Sequence, residues 1–206
     1  MKILFIRHGK SIDDVNGVSQ RDDSPLSESG ILQAKKRAFD FNSTIVDACY
    51  ASHYQRAQDT AHILFPSTPI ITRSDIYEIK RPTRLDGGDH KDAVHFWEVE
   101  HRLDKYAPDW SYDGSESFTE VTARARDFID EMEEKHRTDE TSIAVISHGG
   151  FIRHCIGVAT MGNAYRPADF FDLLFPMRID NLDAISLSYE EDKKPSWKIL
   201  NRSDLL

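Results

Sequence analysis

Arg7-His8-Gly9 and Ser147-His148-Gly149 are two places where this sequence sets an imidazole at the end of an apolar run. A histidine ionises at about pH 6.5, so near neutrality its ring is available as an uncharged base or nucleophile. Arg7 stands beside the first ring, and Arg56 stands at the start of a predicted helix that follows a predicted strand. A guanidinium offers a planar fork of N–H donors matched to the oxygens of an anion such as phosphate. The N-terminus of a helix attracts anions as well. Neutral bases and fixed cations in this combination point to chemistry on an anion held at one spot.

The chemistry requires elements that bring the two histidines together. Residues 2–7 and 141–147 are short apolar runs of the buried-strand kind. Residues 12–24 are polar, with Gly17 and several Asp, and read as a loop. Ser27 is placed to cap a helix on which Ile31, Ala34, Ala38 and Phe41 share one face. A strand is predicted over 45–52, a helix over 56–65 stopped by Pro66, and a third strand within 70–79. Ser117-x-x-Glu120 is a capping box opening a long helix with Phe118, Val121, Ala125, Phe128, Ile129 and Met132 as its apolar stripe. A further helix is predicted over 151–158. Residues 184–189 and 197–201 flank a turn and predict a hairpin. Residues 80–115 are irregular, carry Pro82, Gly87, Gly88, Pro108 and Gly114, and include an aromatic helix candidate over 93–103.

Strands alternating with helices predict an α/β fold, a three-layer sandwich with a largely parallel central sheet flanked by helices. Such sheets bind ligands beyond the carboxyl ends of their strands. If the strands ending at His8 and His148 are both central and parallel, the two rings meet at one edge. Residues 1–206 read as a single domain, with 80–115 as a cap-like insertion over the pocket.

The 206 residues hold 26 Lys+Arg against 35 Asp+Glu, a net charge of −9. That balance argues against nucleic acid or an anionic membrane as partner and leaves a small anionic substrate open. No apolar run approaches the roughly 18 residues of a membrane span. The opening apolar stretch is too short for a signal-peptide core and meets Arg7 and His8 at once, so a cytoplasmic protein is predicted. Cys49 and Cys155 lie in apolar settings and read as buried thiols. His95 and His101, six residues apart, would point about 120° apart on a helix; no metal and no cofactor is predicted.

Several segments fall in a recognisable order: Leu4-Phe5-Ile6-Arg7-His8-Gly9-Lys10-Ser11; Asp23-Ser24-Pro25-Leu26-Ser27-x-x-Gly30-x-x-Gln33-Ala34; Ala51-Ser52-x-x-x-Arg56-Ala57-x-x-Thr60-Ala61; Glu78 after a strand; Gly114-Ser115-Glu116-Ser117 with Arg124 downstream; and Val145-Ile146-Ser147-His148-Gly149-Gly150-Phe151-Ile152-Arg153. Asn181 is a possible further match. Together they resemble the histidine phosphatase superfamily, the phosphoglycerate-mutase-like group of branch 1 type. The resemblance implies a phosphohistidine mechanism. His8 is the expected nucleophile, with its other ring N–H on a backbone carbonyl. Arg7, Arg56, His148 and the backbone at Gly149 are expected around the phosphoryl oxygens. Glu78 is expected to act as general acid and then base. By their residue types, Lys80, Arg81 and Arg84 read either as a solvated charge patch or as contacts to a second anionic group on the substrate, while Glu116 and Arg124 stay outside the catalytic set.

Two departures narrow the expectation. Asp13 and Asp14 stand where the family often has an aromatic-Asn pair, and two carboxylates beside the phosphate mouth would disfavour highly anionic substrates. After Glu78 the chain reads Ile79-Lys80-Arg81-Pro82, unlike the basic-aromatic run of glycolytic mutases. The leading expectation is a metal-independent phosphatase acting on a small phosphomonoester. The alternatives are a phosphoglycerate mutase and, from another class, a catalytically inactive phosphate-binding module.

Overall fold

Parallel strands need long crossovers between them, and the connections in this chain supply them. β1 (Lys2–Arg7) leads through α1 (Ile12–Asn16) and α2 (Glu28–Phe41) to β2 (Ala48–Ser52), and α3 (Gln55–Leu64) leads on to β3 (Ile70–Arg73). After α4 (His90–His95) and α5 (Phe118–His136) come β4 (Ser142–Ser147) and α6 (Gly149–Met161). A short helical stretch, Pro167–Asp169 running into a π-type turn at Phe170–Leu174, precedes the hairpin β5 (Ala184–Ser188) and β6 (Ser196–Leu200). The computed structural model describes residues 1–42, 44–96, 107–136 and 141–200.

The strands order as β3-β2-β4-β1-β5-β6. β1 to β4 are mutually parallel, while β5 runs antiparallel to β1 and β6 antiparallel to β5. The sheet is therefore mixed, with the parallel strands forming its larger part. The successive residues of β1 point to opposite faces. Ile3 and Phe5 join a core with Phe128, Met132 and Phe151 from α5 and α6. Leu4 and Ile6 join the other core, with Ala34 and Phe41 from α2 and Ala57 and Ala61 from α3. Burial on both faces explains why these strands read as unbroken apolar runs rather than alternating ones.

Helix starts follow the side chains that satisfy their free N–H groups. Ser27 Oγ accepts from Gly30 N at 3.0 Å. Ser117 N donates to Glu120 Oε2 at 2.8 Å while Glu120 N donates to Ser117 Oγ at 3.2 Å. The predicted loop over 12–24 instead contains α1, held by a second such box between Ser11 and Asp14. The third strand stops at Arg73, whose guanidinium pairs with Asp75 and with Glu131 of α5, and the chain leaves the sheet there. The helix predicted over 93–103 starts earlier, at His90; residues 97–106, including His101, lie outside the described residues. Phe96 is buried and stacks on Trp110 with ring centroids 6.3 Å apart.

Cys49 and Cys155 are both buried and free, and burial pushes the Cys49 thiol up to about 12. Among the described residues no three His, Cys, Asp or Glu side chains are grouped to hold a metal. No helix among them is long and apolar enough to cross a membrane.

The loop after β1 packs directly on the first turn of α2: Ser27 N and Ser27 Oγ both donate to Lys10 O at 2.9 Å, and a methyl group at Gly30 would overlap the Lys10 carbonyl. Gly30→Ala should therefore lower stability by about 1–3 kcal/mol, the usual cost of overpacking. Equilibrium urea unfolding measures this, and an unchanged midpoint would show that the close approach is not required.

Candidate active site

The parallel register sets Arg7 of β1 opposite Ser147 of β4, so the next residues, His8 and His148, leave the sheet side by side. His8 N donates to Ser147 O at 2.9 Å. The two imidazole centroids lie 4.9 Å apart. β2, the other neighbour of β4, ends in Ser52 and delivers Arg56 on the first turn of α3 to the same place. Three carboxyl ends of parallel strands thus converge, as the topology of an open α/β sheet requires.

Arg56 is 1% exposed and lies between the two rings. Its Nε is 3.4 Å from His8 Nε2, and its Nη2 is 3.4 Å from His148 Nδ1. A guanidinium only donates, so both of those ring nitrogens must present lone pairs. The opposite nitrogens then carry the protons. His8 Nδ1 donates to Gly9 O at 2.7 Å, and His148 Nε2 donates to Ser52 Oγ at 3.0 Å. The tautomers follow from the partners: His8 is protonated at Nδ1 and has a free electron pair at Nε2.

Further contacts hold this arrangement. Gly9 N donates to Thr60 Oγ1 at 2.9 Å, and Thr60 Oγ1 donates to Arg56 O at 2.6 Å. Asn181 Nδ2 donates to His8 O at 3.0 Å. Arg7 Nη1 donates to Ile179 O at 2.7 Å, while Arg7 Nε is buried without a partner. Arg56 also lies over the Tyr54 ring at 4.7 Å, and Tyr54 in turn packs against His148.

Both imidazoles are fully buried. Burial, followed by the charges of Arg56 and Arg7, drives His8 well below its ordinary value, against a smaller opposing pull from Gly9 O. Burial and the same arginines lower His148 in the same direction, with His8 adding to the effect. All four ring nitrogens have polar partners, and both rings are neutral.

Two small cavities are lined by neighbours of the pair, Tyr54 and Arg56 in one and Arg7 and Gly149 in the other; the rings themselves line neither. One, of about 130 Å³, is lined by Gln20, Asp22, Tyr54, Arg56, Lys80 and Asp86, among others. The other, of about 150 Å³, is lined by Arg7, Gly149, Gly150, Arg153, Phe170 and Phe175, among others. Glu78, Ile79 and Arg81 line both and form the partition. Glu78 accepts from Gly150 N and Phe151 N at the start of α6, each at 3.2 Å, and from Ile79 N at 2.9 Å. Position 150 has to be glycine for this, since a methyl there would fall 2.5 Å from Glu78 Oε1.

The segment bearing Glu78 is carried by a strut from α5. Arg124 forks onto Glu116 at 3.1 and 2.8 Å and donates to Asp75 O and Tyr77 O. Glu116 also accepts from Tyr77 Oη and Lys80 N, each at 2.9 Å. Lys80 itself is exposed and lies 5.2 Å from the Tyr77 ring centre.

His8, His148, Arg56, Arg7, Glu78 and Gly149 are thus brought to one place, and Lys80 to the rim. Asp13 and Asp14 do not line the mouth. Asp13 is buried against Arg21, and Asp14 caps α1 through Ser11. The carboxylates at the mouth are Asp22 and Asp86, and burial with the Asp22 charge raises Asp86 against the pull of Arg81. Ser52 and Tyr54 were absent from the sequence-derived set, although Ser52 ends a parallel strand as Arg7 and Ser147 do. Arg153 likewise wraps the start of α6 by donating to Gly149 O at 2.9 Å.

The family model of the histidine phosphatase superfamily, branch 1, matches residues 3–201. A Hydrogenobacter thermophilus protein carrying the name of a phosphoserine phosphatase is 26% identical over 167 residues, which are 77% of this chain and 78% of that protein. The alpha-ribazole phosphatase of Shigella flexneri superposes with a TM-score of 0.75 at 22% identity, over 98% of this chain and 97% of that one. An Entamoeba histolytica phosphoserine phosphatase variant, solved with phosphoserine, superposes with a TM-score of 0.77 at 18% identity, over 100% and 99%.

The buried rings have a consequence for folding. In the unfolded chain each imidazole binds a proton below about pH 6.5, whereas in the fold it stays neutral. Stability should therefore fall as pH drops below about 6.5, by up to about 1.4 kcal/mol per pH unit for each ring. Urea unfolding at a series of pH values measures the slope, and His148→Gln should reduce it; an unaltered slope would contradict this origin.

Proposed function

The chain belongs to the histidine phosphatase superfamily, branch 1, and from that footing we propose that it is a metal-independent phosphatase that hydrolyses a small phosphomonoester through a phosphohistidine on His8. The observation that carries the reading is the His8 ring itself. Gly9 O holds its Nδ1–H at 2.7 Å, which leaves the Nε2 lone pair facing Arg56, and the ring is neutral. A dianionic ester repels an anionic nucleophile but not a neutral one.

In the first half-reaction His8 Nε2 forms a bond to phosphorus as the ester P–O bond breaks. Arg56, Arg7, His148 and the backbone at Gly149 take the phosphoryl oxygens, and the burial of His8, His148 and Arg56 strengthens these interactions relative to bulk water. The leaving alkoxide takes the proton of the Glu78 carboxyl. In the second half, water attacks phosphorus, Glu78 takes the water's proton, the P–N bond breaks and phosphate leaves. Glu78 is given this role because it lines both cavities beside the imidazole pair. Guanidinium groups already balance the phosphate charge, so no metal is called for. For substrate to reach His8, the partition of Glu78, Ile79 and Arg81 must give way.

Residues 80–115 are read as a cap within one domain. Arg81 Nη2 donates to Gln20 O at 2.6 Å, and Ser19 N donates to Gly88 O at 2.7 Å, which ties this segment to the loop before α2. The mouth has both signs of charge, Asp22 and Asp86 beside Lys80 and Arg81. Carboxylates there oppose the bisphosphorylated activator a mutase would need, which favours hydrolysis. Among the substrates that the relatives' names carry, phosphoserine has charges of both signs on its leaving group, as this mouth does. Two free buried thiols suit a reducing compartment, and we place the enzyme in the cytoplasm.

With EDTA present, the protein should release phosphate from p-nitrophenyl phosphate, and His8→Ala should abolish turnover together with the acid-labile, base-stable label trapped on the wild-type chain. Turnover retained in that variant would refute the nucleophile. Glu78→Gln should slow phosphoserine hydrolysis by about a hundredfold or more, as loss of a general acid does. In a single turnover it should slow release of nitrophenolate far less than release of serine, because nitrophenolate leaves without a proton. Equal losses on both substrates would remove Glu78 from the acid role.

A further inference from the structure

Asp13 poses a separate question. A carboxylate without exposed surface is costly unless it is fully partnered. Asp13 is fully buried, yet it lines neither cavity, and the chemistry above does not use it. Apart from a side-chain hydrogen bond with Ser24, its partners all belong to one residue. Arg21 N donates to Asp13 Oδ2 at 2.9 Å, Arg21 Nη2 donates to Oδ1 at 2.9 Å, and Arg21 Nε reaches Oδ2 at 3.3 Å. The carboxylate therefore grips both the side chain and the main chain of Arg21.

The same stretch of main chain turns its carbonyls toward the site. Arg56 Nη1 donates to Arg21 O at 2.8 Å and to Asp22 O at 3.3 Å. The other guanidinium nitrogens face His8 and His148. A planar guanidinium fixed at Nη1 has its remaining donors aimed by that contact. We propose that Asp13 is a positioning residue for Arg56: through the main chain of Arg21, its buried carboxylate sets the guanidinium plane that faces the two imidazoles. The inference rests on the reading of Arg56 as a phosphoryl clamp.

The alternative role for Asp13 is stabilising the loop, with no bearing on catalysis. The backbone around it is held without its carboxylate: Asp13 N donates to Ser24 Oγ at 3.2 Å, Val18 N donates to Asp13 O at 3.1 Å, and α1 has its own Ser11–Asp14 box. Substitution of the carboxyl should thus leave the chain folded while freeing the Arg21 carbonyl to drift. Small misplacements of a group that contacts the transition state lower turnover more than substrate binding.

A double-mutant cycle on the full chain tests this. Asp13→Ala should lower kcat on p-nitrophenyl phosphate by about tenfold with KM changed by less than about twofold. In the Arg56→Ala background the same substitution should change kcat by less than about twofold, because its effect runs through the missing guanidinium. Inhibition by orthovanadate, which mimics the five-coordinate phosphorus, should weaken in Asp13→Ala, and in the double variant it should be no weaker than in Arg56→Ala alone. Arg21→Ala, which keeps the main-chain bond to Asp13, should lose about threefold. If Asp13→Ala does not fold, by its melting curve, Asp13→Asn and Arg21→Ala carry the same cycle.

An unchanged kcat, or equal losses with and without Arg56, would overturn the positioning role. If Arg56→Ala alone leaves turnover intact, the clamp reading fails instead, and the two failures are told apart by that single variant.

Discussion

A guanidinium keeps its proton at any pH a protein meets, so burying Arg56 dictates the state of everything it touches. Its charge is out of water and must be met by acceptors. The structure supplies four: the Arg21 and Asp22 carbonyls and one nitrogen from each imidazole. Those two nitrogens cannot hold protons while they face its N–H groups. Both rings are therefore neutral, and the hydrogens sit on the far side, on Gly9 O and Ser52 Oγ. One fixed cation thereby sets two tautomers.

The remaining architecture serves to keep that cation and its partners aligned. β1, β4 and β2 are adjacent and parallel, so their ends deliver His8, His148 and Arg56 to a common edge. Two apolar layers brace the sheet, one through α2 and α3 and the other through α5 and α6. Glu78 comes from outside the sheet. It reaches the site only because Arg124 and Glu116 hold its segment and because Gly150 leaves room for its carboxylate.

Much of this was legible from residue order. The apolar runs before His8 and His148 and the capping signals at Ser27 and Ser117 all correspond to elements present in the fold. What failed to show has local causes. α1 was hidden because it is only five residues long, and its capping box pairs Ser11 with an Asp, a residue that also suits a loop. The third strand lies within 70–79 as read, but where it ends was not legible, because Ile76 and Ile79 continue the apolar character; Ile76 goes into the core beside α5 after the chain has left the sheet at Arg73. Asp13 and Asp14 were expected at the mouth because they stand where the family often has an aromatic-Asn pair; the helix that holds them turns one into the interior and the other onto Ser11.

The residues alone determined which groups are present and in what form: imidazoles that titrate near neutrality, guanidiniums that do not titrate, and apolar runs that have to be buried. They also determined that the strands before His8 and His148 would be interior ones, since a run apolar on both faces is stable only between two layers. Only the tertiary structure decided which nitrogen of each ring faces Arg56, that Asp22 and Asp86 rather than Asp13 and Asp14 stand at the mouth, and that Glu78 hangs from α5. Hydrogen bonds and charge effects depend on ångström distances between groups far apart along the chain, and residue order contains no such distances until the sheet, its register and its crossovers are formed.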